Sequence, residues 1–331
     1  MTIKSLEDLL EDPARAPFYD LMGGLADNLL TIGPYAGSFL CCAACGETFS
    51  AKAGSWKCEG CGQDYELKFR PVRQPGATFR ATVDVSGLEK ARLNPQWYFE
   101  NENWSVAEFL TQLMRLGPES LLPPWLERLG IALGKPAALE TVLSWPRFRF
   151  AGAKNTIQPD LAIAFRSDLI LFEFKRPMGG LVPPYEVMGQ LAFVMNAARK
   201  LSRQWHLVII PGNDASSRTA PIRHVERALE ALSKANEKWS GAEPELRAVQ
   251  TMPAKEIADR VIVLGWEELI RRTAEVIARL VPESWAKRQA LAKLHYFYSE
   301  RAKLGLLAPP AWSPSTLGST EPVAADRLPD T

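Results

Sequence analysis

The stretch from residue 158 to residue 175 reads QPDLAIAFRSDLILFEFK and constrains the fold of this chain more than any other. Two short apolar runs flank a polar turn at residues 166–168, which is the pattern of a buried hairpin. Asp160, Glu173 and Lys175 lie near the open end of this hairpin, where burial disfavours charged groups. Charges kept at such a position indicate a functional site.

Strand geometry predicts which faces these side chains occupy. Glu173 and Lys175 share one face of the second strand and Phe172 and Phe174 share the other, because side chains alternate. If Asp160 faces residue 173 or 175, all three charged groups share a face; if it faces Phe174, a β-bulge is needed. Two carboxylates on adjacent strands suit Mg²⁺ or Mn²⁺, and a neighbouring lysine could orient a water or offset charge on a phosphorus atom.

The sequence around the hairpin predicts an α/β fold. Apolar residues make up 47% of the 331 residues, enough for a substantial core, and the length allows about two domains. Apolar spacing predicts helices at 105–117, 123–134, 185–203 and 221–240 and a pair of helices within 267–305. Strands are predicted at 139–145, 147–150, 206–210 and 260–264. The order of helix, hairpin, helix and strand indicates a mixed sheet.

The hairpin resembles the signature of a known family. Pro159-Asp160, followed after twelve residues by Glu173-x-Lys175, looks like the motif of the PD-(D/E)xK nuclease superfamily. An acidic helix before the hairpin and a glutamine-bearing helix after it are also similar, over about residues 104–265. The resemblance implies a restriction-endonuclease-like mixed β-sheet core flanked by helices, and metal-dependent hydrolysis of nucleic acid.

The resemblance also implies roles for individual residues. Asp160 and Glu173 match the Mg²⁺ or Mn²⁺ ligands of the family, and Lys175 matches its catalytic lysine. Glu108 matches the acidic residue that such enzymes often carry on the first core helix. Glu140, at the start of the strand before the hairpin, is a competing candidate for that position.

A glutamine on the following helix extends the match. Gln190 corresponds to the glutamine that lies against the site and the substrate in the family. Some relatives carry a tyrosine four residues later, where this chain has Val194. Tyr185, about one turn earlier, is an alternative source of an aromatic ring.

The cysteines form a separate candidate metal site. All five lie between residues 41 and 61, and Cys42-x2-Cys45 and Cys58-x2-Cys61 could supply four thiolates to one structural zinc ion. The segment resembles a zinc ribbon, which implies scaffolding or binding of nucleic acid or a partner protein. A redox-active C-x-x-C pair is the alternative. Cys41 is expected to be a spare buried thiol or a competitor of Cys42.

Changes in composition and the positions of proline and glycine residues set the expected domain organisation. We predict a helical segment at 1–36, a zinc-ribbon and β module at 37–100, a nuclease-like domain at 101–305 and a disordered tail at 306–331. The net charge of +1 favours no whole-protein attraction to nucleic acid or membrane. No apolar run approaches the roughly 18 residues of a membrane span, and the cysteine pattern suits a reducing compartment, so a cytoplasmic location is expected.

Two classes of function follow. The first is a Mg²⁺- or Mn²⁺-dependent phosphodiesterase acting on nucleic acid, with DNA as the expected substrate, alone, as a homodimer or with a partner protein. The second is a catalytically inactive module that binds DNA or a protein partner. Metal dependence discriminates between them, because only the first needs an ion at Asp160 and Glu173.

Overall fold

The computed structural model describes part of the chain: residues 5–10, 29–33, 39–42, 48–50, 54–57, 59, 64–67, 106, 109–110, 113, 116–135, 137–144, 146–150, 155–177, 182–212, 219–303, 305, 307, 310, 312 and 317. For the described residues within 29–56 and for residues 64–67 it describes the backbone alone.

The elements follow one another in this order along the chain. The strands are β1 Leu29–Gly33, β2 Phe39–Cys42, β3 Thr48–Ser50, β4 Gly54–Lys57, β5 Asp64–Leu67, β6 Leu139–Ser144, β7 Leu161–Phe165, β8 Asp168–Phe174, β9 Gln204–Ile210 and β10 Val261–Val263. The helices are α1 Pro118–Leu129, α2 Pro184–Leu201, α3 Pro221–Glu230, α4 Leu232–Lys238, α5 Glu243–Gln250, α6 Ala254–Ala258, α7 Trp266–Leu280 and α8 Trp285–Lys303. Residues 106, 109, 110 and 113 are also helical, within the helix predicted at 105–117.

A five-stranded mixed sheet forms the centre of the fold, in the order β10-β9-β8-β7-β6. β7 runs antiparallel to β6 and β8, whereas β9 runs parallel to both β8 and β10. The parallel pair β8 and β9 needs a crossover connection, which α2 provides. The predicted hairpin is β7 and β8, with Leu161 opposite Phe172. The predicted α/β class with a mixed sheet flanked by helices is confirmed.

Helices cover both faces of the sheet and bury two apolar layers. One layer lies between the sheet and four elements: the helical residues 106, 109, 110 and 113, and the helices α1, α7 and α8. The other lies between the sheet and α2 to α6. Phe172 and Phe174 of β8 belong to the first layer and Leu169 and Leu171 to the second, as strand alternation requires. Glu173 therefore points from β8 towards the α2 side.

Aromatic packing fixes the first layer behind the end of the hairpin. The rings of Trp125 and Phe172 stack with centroids 5.4 Å apart, and those of Phe109 and Phe174 lie 6.3 Å apart. Trp266 packs on Phe174 at 5.4 Å. Aromatic pairs at these separations add to the free energy gained from burial, so the strand that carries Glu173 has a firm support on its other face.

The N-terminal segment differs from the predicted helical region. Residues Glu7–Leu9 form a short 3₁₀ helix, and Leu10 makes an isolated bridge to Phe148. Leu6 and Leu10 are buried in the second apolar layer, so this segment belongs to the core. Within the same predicted region, β1 pairs antiparallel with β2. Its Leu-Leu-Thr-Ile run is rich in residues that suit a pleated surface, and strand pairing outweighs the helical spacing.

Two predicted elements in the middle of the chain also differ. At 147–150, exposed arginines alternate with buried phenylalanines as in a strand, but only isolated bridges form at Phe148. The helix predicted at 221–240 is divided at Ala231, where φ is −86° and ψ is 10°. The short helix α4 that follows is consequently a separate element.

Part of the predicted disordered tail is packed. The ring of Trp312 lies edge-on to His295 with centroids 5.4 Å apart, and Leu317 packs against the first apolar layer. Isolated apolar side chains give no periodic signal, so the sequence could not reveal these contacts. Most of the tail lies outside the described residues.

The zinc prediction falls largely outside the described part of the chain. Cys41 and Cys42 lie in the backbone of β2, whereas Cys45, Cys58 and Cys61 are not among the described residues. The zinc ribbon therefore stays a prediction. None of the described helices combines the length and the apolar character needed to cross a membrane.

Candidate active site

The carboxyl end of β8 holds Glu173 and Lys175 close together. Lys175 Nζ lies 2.7 Å from Glu173 Oε1, and both residues are largely buried, with Glu173 only 5% exposed. The Lys175 N–H donates to the Ile210 carbonyl at 2.8 Å, and the Lys175 carbonyl accepts from Trp266 Nε1 at 2.7 Å. Because β9 and α7 both hold this backbone, the position of Lys175 at the strand end is well defined.

Asp160 lies at the same end of the hairpin, directly before β7. Its backbone N–H donates to the Phe172 carbonyl at 3.1 Å, and its Oδ2 accepts from the Phe174 N–H at 2.7 Å. The carboxylate thus bonds to the backbone between Glu173 and Lys175. The structure brings the three charged residues of the hairpin together.

Gln190 extends this group from the second turn of α2. Its Nε2 donates to Glu173 Oε2 in a short hydrogen bond, so both oxygens of Glu173 have a partner. Gln190 is only 4% exposed, and its Oε1 is buried without a hydrogen-bond partner among the described atoms. Val194, one turn later, is fully buried in the second apolar layer.

Burial dominates the electrostatics of Glu173. It raises the pKa of Glu173 above its ordinary value of 4.5, and the Lys175 ammonium and the hydrogen bonds from Lys175 and Gln190 oppose this shift without cancelling it. The nearby Glu186 carboxylate adds a small contribution in the raising direction. A buried carboxylate with a raised pKa beside a specific cation is typical of functional sites.

Glu186 and Lys238 also belong to this group, although they were not among the residues predicted from the sequence. Glu186 Oε2 lies 3.8 Å from Lys175 Nζ, and Glu186 Oε1 lies 3.2 Å from Lys238 Nζ. Glu186 precedes Gln190 by four residues, so helical spacing could have placed the two on one face of α2. Lys238 carried no local signal, because it lies 52 residues away on α4.

Tyr185 also lies next to the group, between Glu186 and the lysines of α4. Its hydroxyl donates to Glu186 Oε1 at 3.4 Å. Its ring centroid is 4.6 Å from the ammonium of Lys234 and 4.7 Å from that of Lys238. The aromatic ring suggested by the sequence is therefore near the site, where it contacts lysines of α4.

The two candidates for a further acidic residue have different outcomes. Glu140 pairs with Arg203 at 2.5 Å, and β6 is paired so that its start lies beside the turn of the hairpin. It is thus at the end of the sheet opposite to Asp160 and does not complete the group. Glu108 lies outside the described residues, but its neighbour Phe109 packs on Phe174 close to the site.

Asp160 and Glu173 are the residues that could hold a divalent ion. Within the described part of the chain, no three His, Cys, Asp or Glu side chains are grouped closely enough to bind one. Mg²⁺ is often held by one or two protein carboxylates, with waters and substrate phosphates supplying the other ligands. Two features fit such a site. Burial raises the pKa of Glu173, so the negative charge of this carboxylate is incompletely compensated. Oε1 of Gln190 is buried without a hydrogen-bond partner among the described atoms.

No protein-family model, curated protein or solved structure matches this chain. The assignment of function therefore rests on the residues and distances given above.

Proposed function

We propose that this chain is a metal-dependent nuclease that hydrolyses phosphodiester bonds of nucleic acid, with DNA as the expected substrate. The observation that supports this most directly is the group formed by Asp160, Glu173 and Lys175 at the carboxyl end of β8. Two buried carboxylates and an ammonium at one strand end have little structural purpose, since buried charges generally cost stability.

The topology around the group also supports the proposal. The motif that resembles the PD-(D/E)xK signature lies on two antiparallel strands, and the helix after it crosses to a parallel strand. Gln190 of that helix contacts Glu173 and so lies against the site, as the resemblance implies. The position of the motif on these strands supports the proposed chemistry.

The proposed reaction adds water across a P–O bond. The water oxygen bonds to phosphorus, the bond to the leaving oxygen breaks, and that oxygen takes up a proton. When bound at Asp160 and Glu173, a divalent ion would polarise the phosphodiester and lower the pKa of a bound water.

The other side chains of the group have distinct parts in this scheme. Lys175 presents an ammonium that can orient the attacking water and offset the negative charge that develops on phosphorus. Gln190 fixes the orientation of the Glu173 carboxylate through its hydrogen bond. The burial of Asp160 and Glu173 limits access of bulk water, which strengthens electrostatic interactions inside the site.

Cleavage of DNA tests this proposal. Supercoiled, linear and single-stranded DNA would be incubated with Mg²⁺ or Mn²⁺ and with wild type, Lys175→Ala or Lys200→Ala, a control at an exposed lysine on the last turn of α2. We expect Lys175→Ala to lose about 100-fold in rate or more, and Lys200→Ala to cleave at nearly the wild-type rate. Equal cleavage by all three proteins, or none by wild type on any form, would contradict the proposal.

A non-catalytic module that binds DNA or a protein partner is the competing proposal. It is favoured by the lack of a third acidic ligand among the described residues. In that case Asp160 serves only to close the hairpin through the Phe174 N–H. Asp160→Asn would then change stability and leave the affinity for Mn²⁺ as it is in wild type, whereas the nuclease proposal requires that affinity to fall.

A further inference from the structure

The short helix α4 lies beside the first turns of α2, where the candidate site opens. The Lys238 carbonyl accepts from Asn155 Nδ2 at 2.6 Å, and the Lys238 ammonium lies 3.2 Å from Glu186 Oε1. Trp239, directly after α4, is buried against Gly189 so closely that a Cβ on the glycine would overlap its ring. The contacts of Lys238 with Glu186 and of Trp239 with Gly189 hold the C-terminal end of α4 against α2.

Two lysines of α4 gather around Tyr185. Lys234 and Lys238 are one helical turn apart and lie 4.6 Å and 4.7 Å from the centroid of the Tyr185 ring. A cation over an aromatic face is held by the ring while its N–H groups stay available to another acceptor. Lys234 is exposed and the Lys238 side chain is 39% exposed, so an incoming anion can reach both.

One carboxylate connects these lysines to the candidate catalytic lysine. Glu186 lies 3.8 Å from Lys175 Nζ on one side and 3.2 Å from Lys238 Nζ on the other. Charges thus alternate from the buried Glu173, through Lys175 and Glu186, to the partly exposed Lys238. A chain of phosphates that passes Lys175 would meet Lys238 and Lys234 next.

We propose that Lys234 and Lys238, positioned by Tyr185, form a phosphate-binding surface that holds the nucleic-acid backbone beside the bond to be cleaved. This inference rests on the proposed function and adds a position for the substrate strand on the protein. Contacts of lysines to phosphates are independent of base sequence, so the surface would position a strand and not select a sequence. The partner is therefore the sugar-phosphate backbone of DNA.

The salt dependence of DNA binding tests this surface. Fluorescence anisotropy of a short fluorescein-labelled duplex would be followed over a range of KCl concentrations in buffer without added Mg²⁺ or Mn²⁺, so that cleavage does not interfere. The proteins are wild type, the double variant Lys234→Ala/Lys238→Ala, the charge-retaining variant Lys234→Arg/Lys238→Arg and the control Lys200→Ala. Lys200 lies on the same helix as Tyr185, about 22 Å away along its axis.

We expect the alanine double variant to bind DNA of any sequence more weakly. The slope of log K against log salt should become shallower by about 0.9 for each lost phosphate contact. The arginine variant and Lys200→Ala should keep the wild-type slope. The inference is overturned if the double variant keeps the wild-type slope, if Lys200→Ala loses as much, or if wild type shows no salt-dependent binding.

The outcome separates this inference from the nuclease proposal. If cleavage depends on Lys175 but the salt slope does not depend on Lys234 and Lys238, the surface is refuted and the nuclease stands. If the slope depends on the two lysines and no protein cleaves DNA, the surface stands and the catalytic proposal fails. If both hold, the double variant should raise KM for DNA far more than it lowers kcat, because Glu186 lies between Lys238 and the candidate catalytic Lys175.

Discussion

The ionisation of Glu173 affects both the candidate site and the stability of the fold. It is almost fully buried, and burial raises its pKa above 4.5 despite the Lys175 ammonium 2.7 Å away. A group with a raised carboxyl pKa in the folded state supports folding below its unfolded value and loses that contribution as pH rises. At neutral pH, Glu173 consequently costs stability that a bound cation would restore.

We predict that Glu173→Gln stabilises the metal-free protein at neutral pH by about 0.5–2 kcal/mol, because glutamine has the same shape and no charge to desolvate. The same chemical change at Glu140 should have the opposite sign. Glu140→Gln removes the carboxylate partner of Arg203, whose side chain is only 5% exposed, and should cost about 1–3 kcal/mol. Urea denaturation in buffer without added Mg²⁺ or Mn²⁺ measures both values, and two changes of the same sign would refute this view of Glu173.

His206 provides a test at the other end of the sheet. Its Nε2 lies 3.6 Å from Oδ1 of the fully buried Asp168, and neither atom has a hydrogen-bond partner among the described residues. Burial lowers the pKa of His206 below 6.5, the Asp168 carboxylate opposes this, and the Arg260 cation adds to the lowering. The folded protein therefore resists protonation of His206 while the unfolded chain accepts it.

We predict that the contribution of His206 to wild-type stability is lost as pH drops below about 6.5, since a lowered pKa gives stability that is present above the unfolded value and lost below it. His206→Gln cannot titrate, so its free energy of unfolding should fall less over the same range. His295, whose pKa burial also lowers, remains in both proteins and cancels in the comparison. Parallel pH profiles for the two proteins in urea denaturation would contradict this assignment.

Among the elements, α2 joins the candidate site to the proposed phosphate-binding surface. It carries Gln190 and Glu186 towards β8 and packs on Trp239 through Gly189. A side chain at Gly189 cannot be accommodated unless the Trp239 ring moves. The spacing between α2 and α4 therefore depends on one glycine.

We predict that Gly189→Ala destabilises the protein by about 1–3 kcal/mol, because the added methyl group overlaps the Trp239 ring. Combining it with Trp239→Leu, which removes the ring, should cost less than the sum of the two single changes. Thermal denaturation of the four proteins gives this coupling. An additive result would mean that the two residues do not share the space.

The sequence predicted the elements whose signals are local. Alternation along β8 correctly separated Glu173 from Phe172 and Phe174, and helical spacing correctly located α2. The sequence could not predict that Lys238 lies beside Glu186, because that contact joins two helices that are far apart along the chain. The apparent strand at 147–150 has the right alternation, but strand pairing depends on neighbours that sequence alone does not supply.

In the whole molecule, the candidate site lies at the carboxyl end of β8, the central strand of the sheet, between the two apolar layers. The α2 side supplies Gln190 and Glu186, and α7 supplies Trp266, whose indole N–H holds the Lys175 carbonyl. The buried N-terminal segment and the contact of Trp312 with His295 add support from both ends of the chain. Because helices on both faces of the sheet contribute residues to the site, the site should be lost when the protein unfolds.

Isothermal titration of Mn²⁺ into zinc-saturated protein tests the central claim most directly. Wild type should bind an ion that Asp160→Asn and Glu173→Gln bind at least about tenfold more weakly, as expected when a ligand to a metal is lost. Glu140→Gln, at the other end of the sheet, should bind it as wild type does. Equal affinities in all four proteins, or no binding by wild type, would contradict a divalent-ion site at the end of this hairpin.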